Sequence, residues 1–372
     1  MIDKKKHICL FIPLLHTGGA EKVIISIANW LASRDIVVDL VLLRKEGVLL
    51  KEVSPDVNIF FLGSKRLLSS PPKLFNYLRL RKPTVLLSAT TFVNIVAVFT
   101  SWISFSSTRI VVTEHSNIDM SVQDQSKNFS MFFELMIKFL MRFFYKKASN
   151  IITVSKGSAN SLSKYINIDI NKICVIYNPI YTEDMMKLSF SKMNHPWFSC
   201  KKTPLVLAVG RLCRAKGFDT LINAFHIVKK SRNARLVILG EGSHREQLET
   251  QISNLDLNND VSLFGQVENP FAYMRNSDLF VLSSRWEGFG NVLVEAMACE
   301  TPIISTNCFY GPSEILEDGK WGKLVEVDNP QELAKGIIEE LDKKHQSNLS
   351  RAKEFSTDIA CESYYSVCFP KR

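Results

Sequence analysis

PLVLAVGRLCRAKGFDTLINAFHIVKKSRNARLVILGEG, residues 204–242, joins two continuous apolar runs through a stretch of helical period. The runs are apolar at consecutive rather than alternate positions, the pattern of parallel strands covered on both faces. Before this stretch the same kind of run recurs as HICLFIPL (7–14), VVDLVLL (37–43), VNIFFL (57–62), TVLLSA (84–89), RIVVTE (109–114), NIITVS (150–155) and ICVIYN (173–178). After it come VSLFG (261–265), DLFVLSS (278–284), TPIISTN (301–307) and GKLVEV (322–327). Strands alternating with helical stretches predict an α/β protein of two doubly wound, Rossmann-like parallel-sheet domains.

Strand-like runs stop between 181 and 203, where polar residues mix with Pro196 and Trp197. The expected division is a first domain over 1–182, a linker over 183–203 and a second domain over 204–353. The helical pattern EFSTDIACESYYSVC, in the last segment of about 354–372, is expected to pack back and complete the first domain.

The chain has 372 residues, 46% hydrophobic and 22% charged. That composition excludes a disordered, a collagenous or a small disulfide-stapled protein. Its eight cysteines contain no Cys-x-x-Cys pair, which reads as buried thiols in a reducing compartment. MIDKKKHICLFIPLL superficially mimics a signal peptide, but without a small-residue cleavage site it reads as a first strand.

The net charge of +9 is unevenly placed: residues 1–180 carry 23 Lys and Arg against 12 Asp and Glu, or +11, and the remainder is −2. A basic half attracts nucleic acid, an anionic bilayer or an anionic substrate. Residues 83–108 carry no charge, yet their many Ser and Thr favour a buried strand followed by a core helix over a membrane span. In MFFELMIKFLMRFFYKK (131–147), Lys138, Arg142 and Lys146 recur every four residues in an aromatic background. This is either a helix lying on an anionic membrane or one that buries its aromatic side and solvates its basic stripe.

Three clusters carry chemistry. Gly18-Gly19, between the first strand and a helix from about Glu21 to Ala32, forms a turn suited to close backbone approach, without the full dinucleotide fingerprint. Gly210-Arg211-Leu212-Cys213-Arg214-Ala215-Lys216-Gly217 places two cations on a loop beyond a strand's carboxyl end, where they suit a diphosphate. In Glu287-Gly288-Phe289-Gly290-Asn291-Val292-Leu293-Val294-Glu295, two carboxylates are separated by seven residues. A helix beginning near Gly290 would bury Glu295 facing the same ligand as Glu287, with the amides of Gly290, Asn291 and Val292 toward an anion.

With these residues the chain resembles the family-4 retaining glycosyltransferases of the GT-B fold. The resemblance runs through HTGGAEKV, TEHS (113–116), VSKGSANSL, VIYNPI, AVGRLCRAKGFDTLINAF, LVILGEG, SLFGQVENP, SSRWEGFGNVLVEAMACETPIIST and YGPSEIL. Within the family it is most similar to bacterial enzymes that add a hexose or N-acetylhexosamine to lipid-linked or surface polysaccharides.

The resemblance implies a role for each matching position. Gly18 and Gly19 would edge the acceptor site opposite the donor diphosphate. Arg211 and Lys216 match the basic pair that neutralises the leaving diphosphate. Glu287 matches the glutamate near the donor sugar, and Glu295 the one that holds the ribose. Phe289, Gly290, Asn291 and Val292 form the turn whose backbone meets sugar and phosphate. His115 matches the histidine that approaches the reacting sugar from the acceptor side. Gly240, Glu241, Gly242, Gly265 and Gln266 match loops around the nucleotide, and Asn178 a position in the cleft. The implied donor is a UDP-sugar, with GDP-mannose as the alternative, and the implied acceptor is a lipid-linked saccharide. No Asp-x-Asp motif occurs, so no metal and no further cofactor is expected.

The charge split adds an anionic inner-membrane surface as partner, on its cytoplasmic face, with no nucleic acid; the oligomeric state is left open. Two other classes compete. A nucleotide-sugar epimerase or hydrolase calls for a dedicated acid pair, and none stands out. A nonenzymatic basic membrane module leaves Arg211, Lys216, Glu287 and Glu295 without a purpose.

Overall fold

Strand β1 (His7–Phe11) sends Ile8 and Leu10 into one apolar core and Cys9 and Phe11 into another. Its apolar residues therefore run without interruption, because a parallel strand with both faces covered has no wet side. Strands β2 (Val37–Leu42), β3 (Asn58–Phe61), β4 (Val85–Ala89), β5 (Arg109–Glu114), β6 (Asn150–Thr153) and β7 (Ile173–Val175) complete a parallel sheet of order β3-β2-β1-β4-β5-β6-β7. A second parallel sheet has the order β10-β9-β8-β11-β12-β13. It is built from β8 (Leu205–Val209), β9 (Arg235–Leu239), β10 (Val261–Gly265), β11 (Leu279–Leu282), β12 (Ile303–Thr306) and β13 (Lys323–Val325).

This computed structural model describes residues 6–16, 18–115, 131–199 and 203–370. The chain forms two units, Met1–Pro179 with Thr357–Arg372, and Ile180–Ser356. The segment expected as a linker, 183–203, falls within the second unit. Its helix Glu183–Ser189 packs on the helix Pro270–Arg275 of the second unit. His195, Trp197 and Phe198 form an aromatic cluster with Phe264 and Tyr273 there. Apolar residues scattered among polar ones carry no clean period, which is why the sequence reads as linker. The closing helix, Thr357–Cys368, places Ala360, Cys361, Tyr364 and Cys368 in the first unit's core beside the helix Gly19–Ala32.

The uncharged stretch 83–108 holds β4 and the thirteen-residue helix Thr91–Ile103. Among the described residues no helix is long and apolar enough to cross a membrane. The seven described cysteines are free thiols; Cys200 lies outside the described residues. One buried charge serves the scaffold. Asp39 accepts bonds from His7 (2.8 Å), Tyr77 (2.7 Å), Arg81 (3.0 Å) and Asn58 (3.0 Å). Burial works to raise its pKa, but these partners outweigh it and hold the carboxyl well below the usual range.

Each sheet reverses its strand order once, between β1 and β4 and between β8 and β11. Open α/β sheets bind ligands outside the carboxyl ends of their strands at such a point. The relevant loops are those around Gly18, Thr90 and His115 in the first unit and around 210–217 and 283–290 in the second.

Candidate active site

In the second unit the loops after β8 and β11 are stitched together. Lys216 Nζ lies 2.5 Å from Glu287 Oε1, and the Ser284 hydroxyl donates to the same oxygen at 2.6 Å. Ser283 donates to the Lys216 carbonyl at 2.8 Å, and the Arg285 amide to the Ala215 carbonyl at 2.8 Å. The Arg285 guanidinium grips both oxygens of Asp219 at 2.9 and 2.8 Å, reaches Asp328 at 2.7 Å and bonds the Arg214 carbonyl. Bidentate contacts of this kind fix geometry as well as charge. At Gly217 (φ +59°) a Cβ would stand 2.1 Å from the Ser283 carbonyl oxygen, so the approach of the two loops requires glycine.

The two expected cations differ in state. Arg211 is exposed and makes no ion pair among the described residues, whereas Lys216 is half-buried and paired to Glu287. Among the described residues, one of the two cations is thus unpaired and the other is shared with a carboxylate.

Phe289 is buried edge-on against Phe355 at 5.5 Å, so its backbone alone can face a ligand. Gly290 (φ +99°) precedes the helix Asn291–Ala298, whose start has no side-chain cap. Val292 lies in its first turn, partly exposed. Glu295 sits in the next turn and is also partly exposed, rather than buried as its place in an apolar helix suggested. On the far side of the second sheet's centre, Gly240 (φ +144°) and Gly242 back onto the loop after β8. A Cβ on Gly240 would stand 1.9 Å from Gly210 O, and one on Gly242 would stand 2.3 Å from Leu212 O. The Gly240 amide donates to Gly265 O, and the Leu212 amide to Glu241 O. Glu241 is already held by Arg245 at 2.7 Å, which keeps its carboxyl below the ordinary carboxylate range; Gln266 is exposed next to Gly265.

In the first unit Gly18 and Gly19 open the helix Gly19–Ala32, and a Cβ on Gly18 would stand 2.2 Å from a Glu21 carboxylate oxygen. A carboxylate folded over this helix start already meets the partial positive charge of its amides. His115 follows β5. Thr113 donates its hydroxyl proton to Ser88 O at 3.0 Å, so it accepts from His115 Nε2 at 3.0 Å, which makes Nδ1 the acceptor nitrogen. Burial pushes the imidazole pKa down to about 4, outweighing an opposing effect of buried Asn178, and Nδ1 has no hydrogen-bond partner among the described residues. The ring is therefore neutral at neutral pH.

Several residues of these sites lie within the quoted stretches but have no role assigned from sequence. Buried Glu114, beside His115, accepts from Asn94 (3.0 Å), Thr91 (3.1 Å) and Tyr145. Burial pushes its carboxyl up to about 7, against those hydrogen bonds. Thr90 holds φ +79° between β4 and the helix Thr91–Ile103, an outlier for a β-branched residue at the switch point. For Glu114 the available signal was a carboxylate ending an otherwise apolar strand, and for Arg285 a cation amid a strand-to-helix turn.

Glu114 and His115 make opposite contributions to stability as pH changes. Between pH 4.5 and 7 the folded state holds a proton on Glu114 that the unfolded state has lost, so stability falls as pH rises. Between pH 4 and 6.5 the unfolded state holds a proton on His115 that the folded state refuses, so stability rises with pH. Each is worth about 3 kcal/mol over its window. In the native chain the two slopes largely cancel between pH 4.5 and 6.5. Removing one unmasks the other: on going from pH 7 to 5, His115→Gln should gain stability relative to the native chain, and Glu114→Gln should lose it. Parallel denaturation curves for all three proteins would refute both assignments.

Comparison with known proteins gives the family. Residues 17–184 match the model of Glycosyltransferase Family 4, and residues 192–355 that of Glycosyl transferases group 1. The chain belongs to the family-4 glycosyltransferases and has the GT-B fold. It is a glycosyltransferase. It is 29% identical over 360 residues, 92% of this chain and 93% of the other, to a Campylobacter jejuni enzyme. That relative is the N-acetylgalactosamine-N,N'-diacetylbacillosaminyl-diphospho-undecaprenol 4-alpha-N-acetylgalactosaminyltransferase. Among solved structures, Anabaena Alr3699/HepE in complex with UDP and glucose superposes with a TM-score of 0.77 at 21% identity, covering 97% of this chain and 98% of that one. The apo lipopolysaccharide outer core galactosyltransferase WaaB gives 0.74 at 19% identity, covering 99% and 100%.

Proposed function

We propose that this chain is a retaining, metal-independent transferase that moves a hexose or N-acetylhexosamine from a UDP-sugar to a lipid-linked saccharide. Its setting would be bacterial surface-glycan assembly, at the cytoplasmic face of the inner membrane. The observation that carries the donor reading is the Lys216–Glu287–Ser284 cluster with exposed Arg211 beside it, at the switch point of the second sheet. The diphospho-undecaprenol acceptor in the name of the Campylobacter relative supports the acceptor class, and the UDP held by the Anabaena structure supports the base.

The transfer breaks the bond between the anomeric carbon and the diphosphate and forms one from the acceptor oxygen on the same face. The acceptor's proton passes to a diphosphate oxygen. Positive charge grows on the sugar and negative charge on the diphosphate, so fixed cations and helix-start amides favour the transition state. Arg211 and Lys216 would supply what a divalent ion supplies elsewhere, while Glu287 orients the sugar and Glu295 the ribose. Neutral His115 would approach the reacting sugar from the acceptor side.

A thermal-shift panel of uridine, guanosine, adenosine and thymidine diphosphates, with and without magnesium, tests this. A ligand of the folded state at a hundredfold its Kd adds about 2.7 kcal/mol. UDP alone should raise the melting temperature, and magnesium should not be required. A shift with GDP only would replace the donor by GDP-mannose, and no shift with any nucleotide would remove the site.

A further inference from the structure

The helix Met131–Tyr145 buries Ile137, Met141, Phe144 and Tyr145 in the first unit's core, yet it is not spent on that face. Its opposite face exposes Phe132 (75%), Leu135 (57%), Phe139 (67%) and Phe143 (41%). Burial of the whole aromatic side does not describe this, since the aromatic residues divide between a buried and a solvent-facing side. Next to it, the end of the helix Thr91–Ile103 adds Trp102, half-exposed and edge-on to Phe143 at 6.0 Å. The turn that follows holds Phe105 at φ +49° with 95% of its surface exposed. A phenylalanine kept in the left-handed region and offered wholly to solvent has no folding reason to be there.

The rim of this patch is mostly basic, with Glu134 the single carboxylate of the helix. Lys138, Arg142, Lys146 and Lys147 are exposed, and the Lys147 ammonium lies 4.5 Å from the Trp102 ring centre and 4.9 Å from that of Phe143. We propose that this two-helix face docks on an anionic lipid bilayer, the aromatic side chains entering the headgroup boundary and the cations meeting lipid phosphates. Exposed aromatic rings flanked by Lys and Arg are the composition of interfacial elements. The +11 charge of residues 1–180 favours the same partner at longer range. A second copy of the chain suits the patch poorly, because two such faces would oppose like charges. Docking rests on the surface alone; its benefit to catalysis rests on the lipid-linked acceptor proposed above.

The test is co-sedimentation of the full chain with phosphatidylglycerol–phosphatidylcholine vesicles and with pure phosphatidylcholine vesicles, at low and high salt. Binding should require the anionic lipid and weaken with salt. At about fivefold in affinity per cation, Lys138→Glu with Arg142→Glu should lose on the order of a hundredfold or more. Phe132→Ser with Phe139→Ser should also reduce binding, and melting temperatures should stay near that of the native chain. Equal pelleting with both vesicle types, or native pelleting by both double variants, overturns the proposal. So does a dimer, seen by light scattering, that the Phe variants dissolve, which would assign the face to a second copy. Intact vesicle binding without sugar transfer to a lipid-linked acceptor would sink the acceptor reading and leave docking standing.

Discussion

Lys216→Ala should lower kcat by on the order of 10²–10³-fold, the usual effect of removing one preorganised electrostatic contact to developing charge. In the structure Lys216 Nζ is 2.5 Å from Glu287, and both side chains are largely shielded. The substitution therefore leaves a shielded carboxylate with the Ser284 hydroxyl but no cation, at a cost of about 1–3 kcal/mol. Lys216→Arg keeps the charge and should recover part of the turnover. Glu287→Gln separates the two roles: it frees Lys216 for the diphosphate, so donor binding should hold while kcat falls. Native turnover by Lys216→Ala, measured with the nucleotide sugar that the thermal panel selects, would remove these residues from the mechanism.

Gly311→Ala should cost about 3 kcal/mol or more, combining a strained backbone with a clash. For a unit of this size that is a drop in melting temperature of roughly 10 °C. Gly311 has φ +116°, and an added Cβ would stand 1.7 Å from the Phe289 carbonyl oxygen, pushing on the turn that leads into the helix Asn291–Ala298. Affinity for the nucleotide should fall with stability, because the backbone of Phe289 and Gly290 cannot stay in place. Gly319→Ala is the matched control: its φ is +101°, but the nearest atom to an added Cβ is 3.8 Å away. It should show the backbone cost alone, about 1–3 kcal/mol, without the added clash. Equal melting temperatures for the two variants would show that the turn yields without cost.

The sequence and the structure part company at identifiable places. Continuous apolar runs from β1 to β13 and the loop motifs at 210–217 and 287–295 were legible because strand burial and backbone approach restrict residue type locally. The helices between 183 and 199 were not, since their apolar residues are explained by partners on β10 and the helix Pro270–Arg275, far along the chain. The 131–145 helix was legible as amphipathic and basic, but not in having two apolar sides, because one helical period cannot tell a core from an exposed patch.

By itself the sequence determined the class of fold, the family and the loops that bear chemistry, since period, glycine placement and charge are properties of short segments. Only the tertiary structure decided which charges are already spent. It paired Lys216 with Glu287, Glu241 with Arg245 and Arg285 with Asp219, and it set neutral His115 beside the buried Glu114–Tyr145 contact. Burial and partnership are relations between segments distant in the chain, and they control both the protonation of a side chain and whether its charge remains for a ligand.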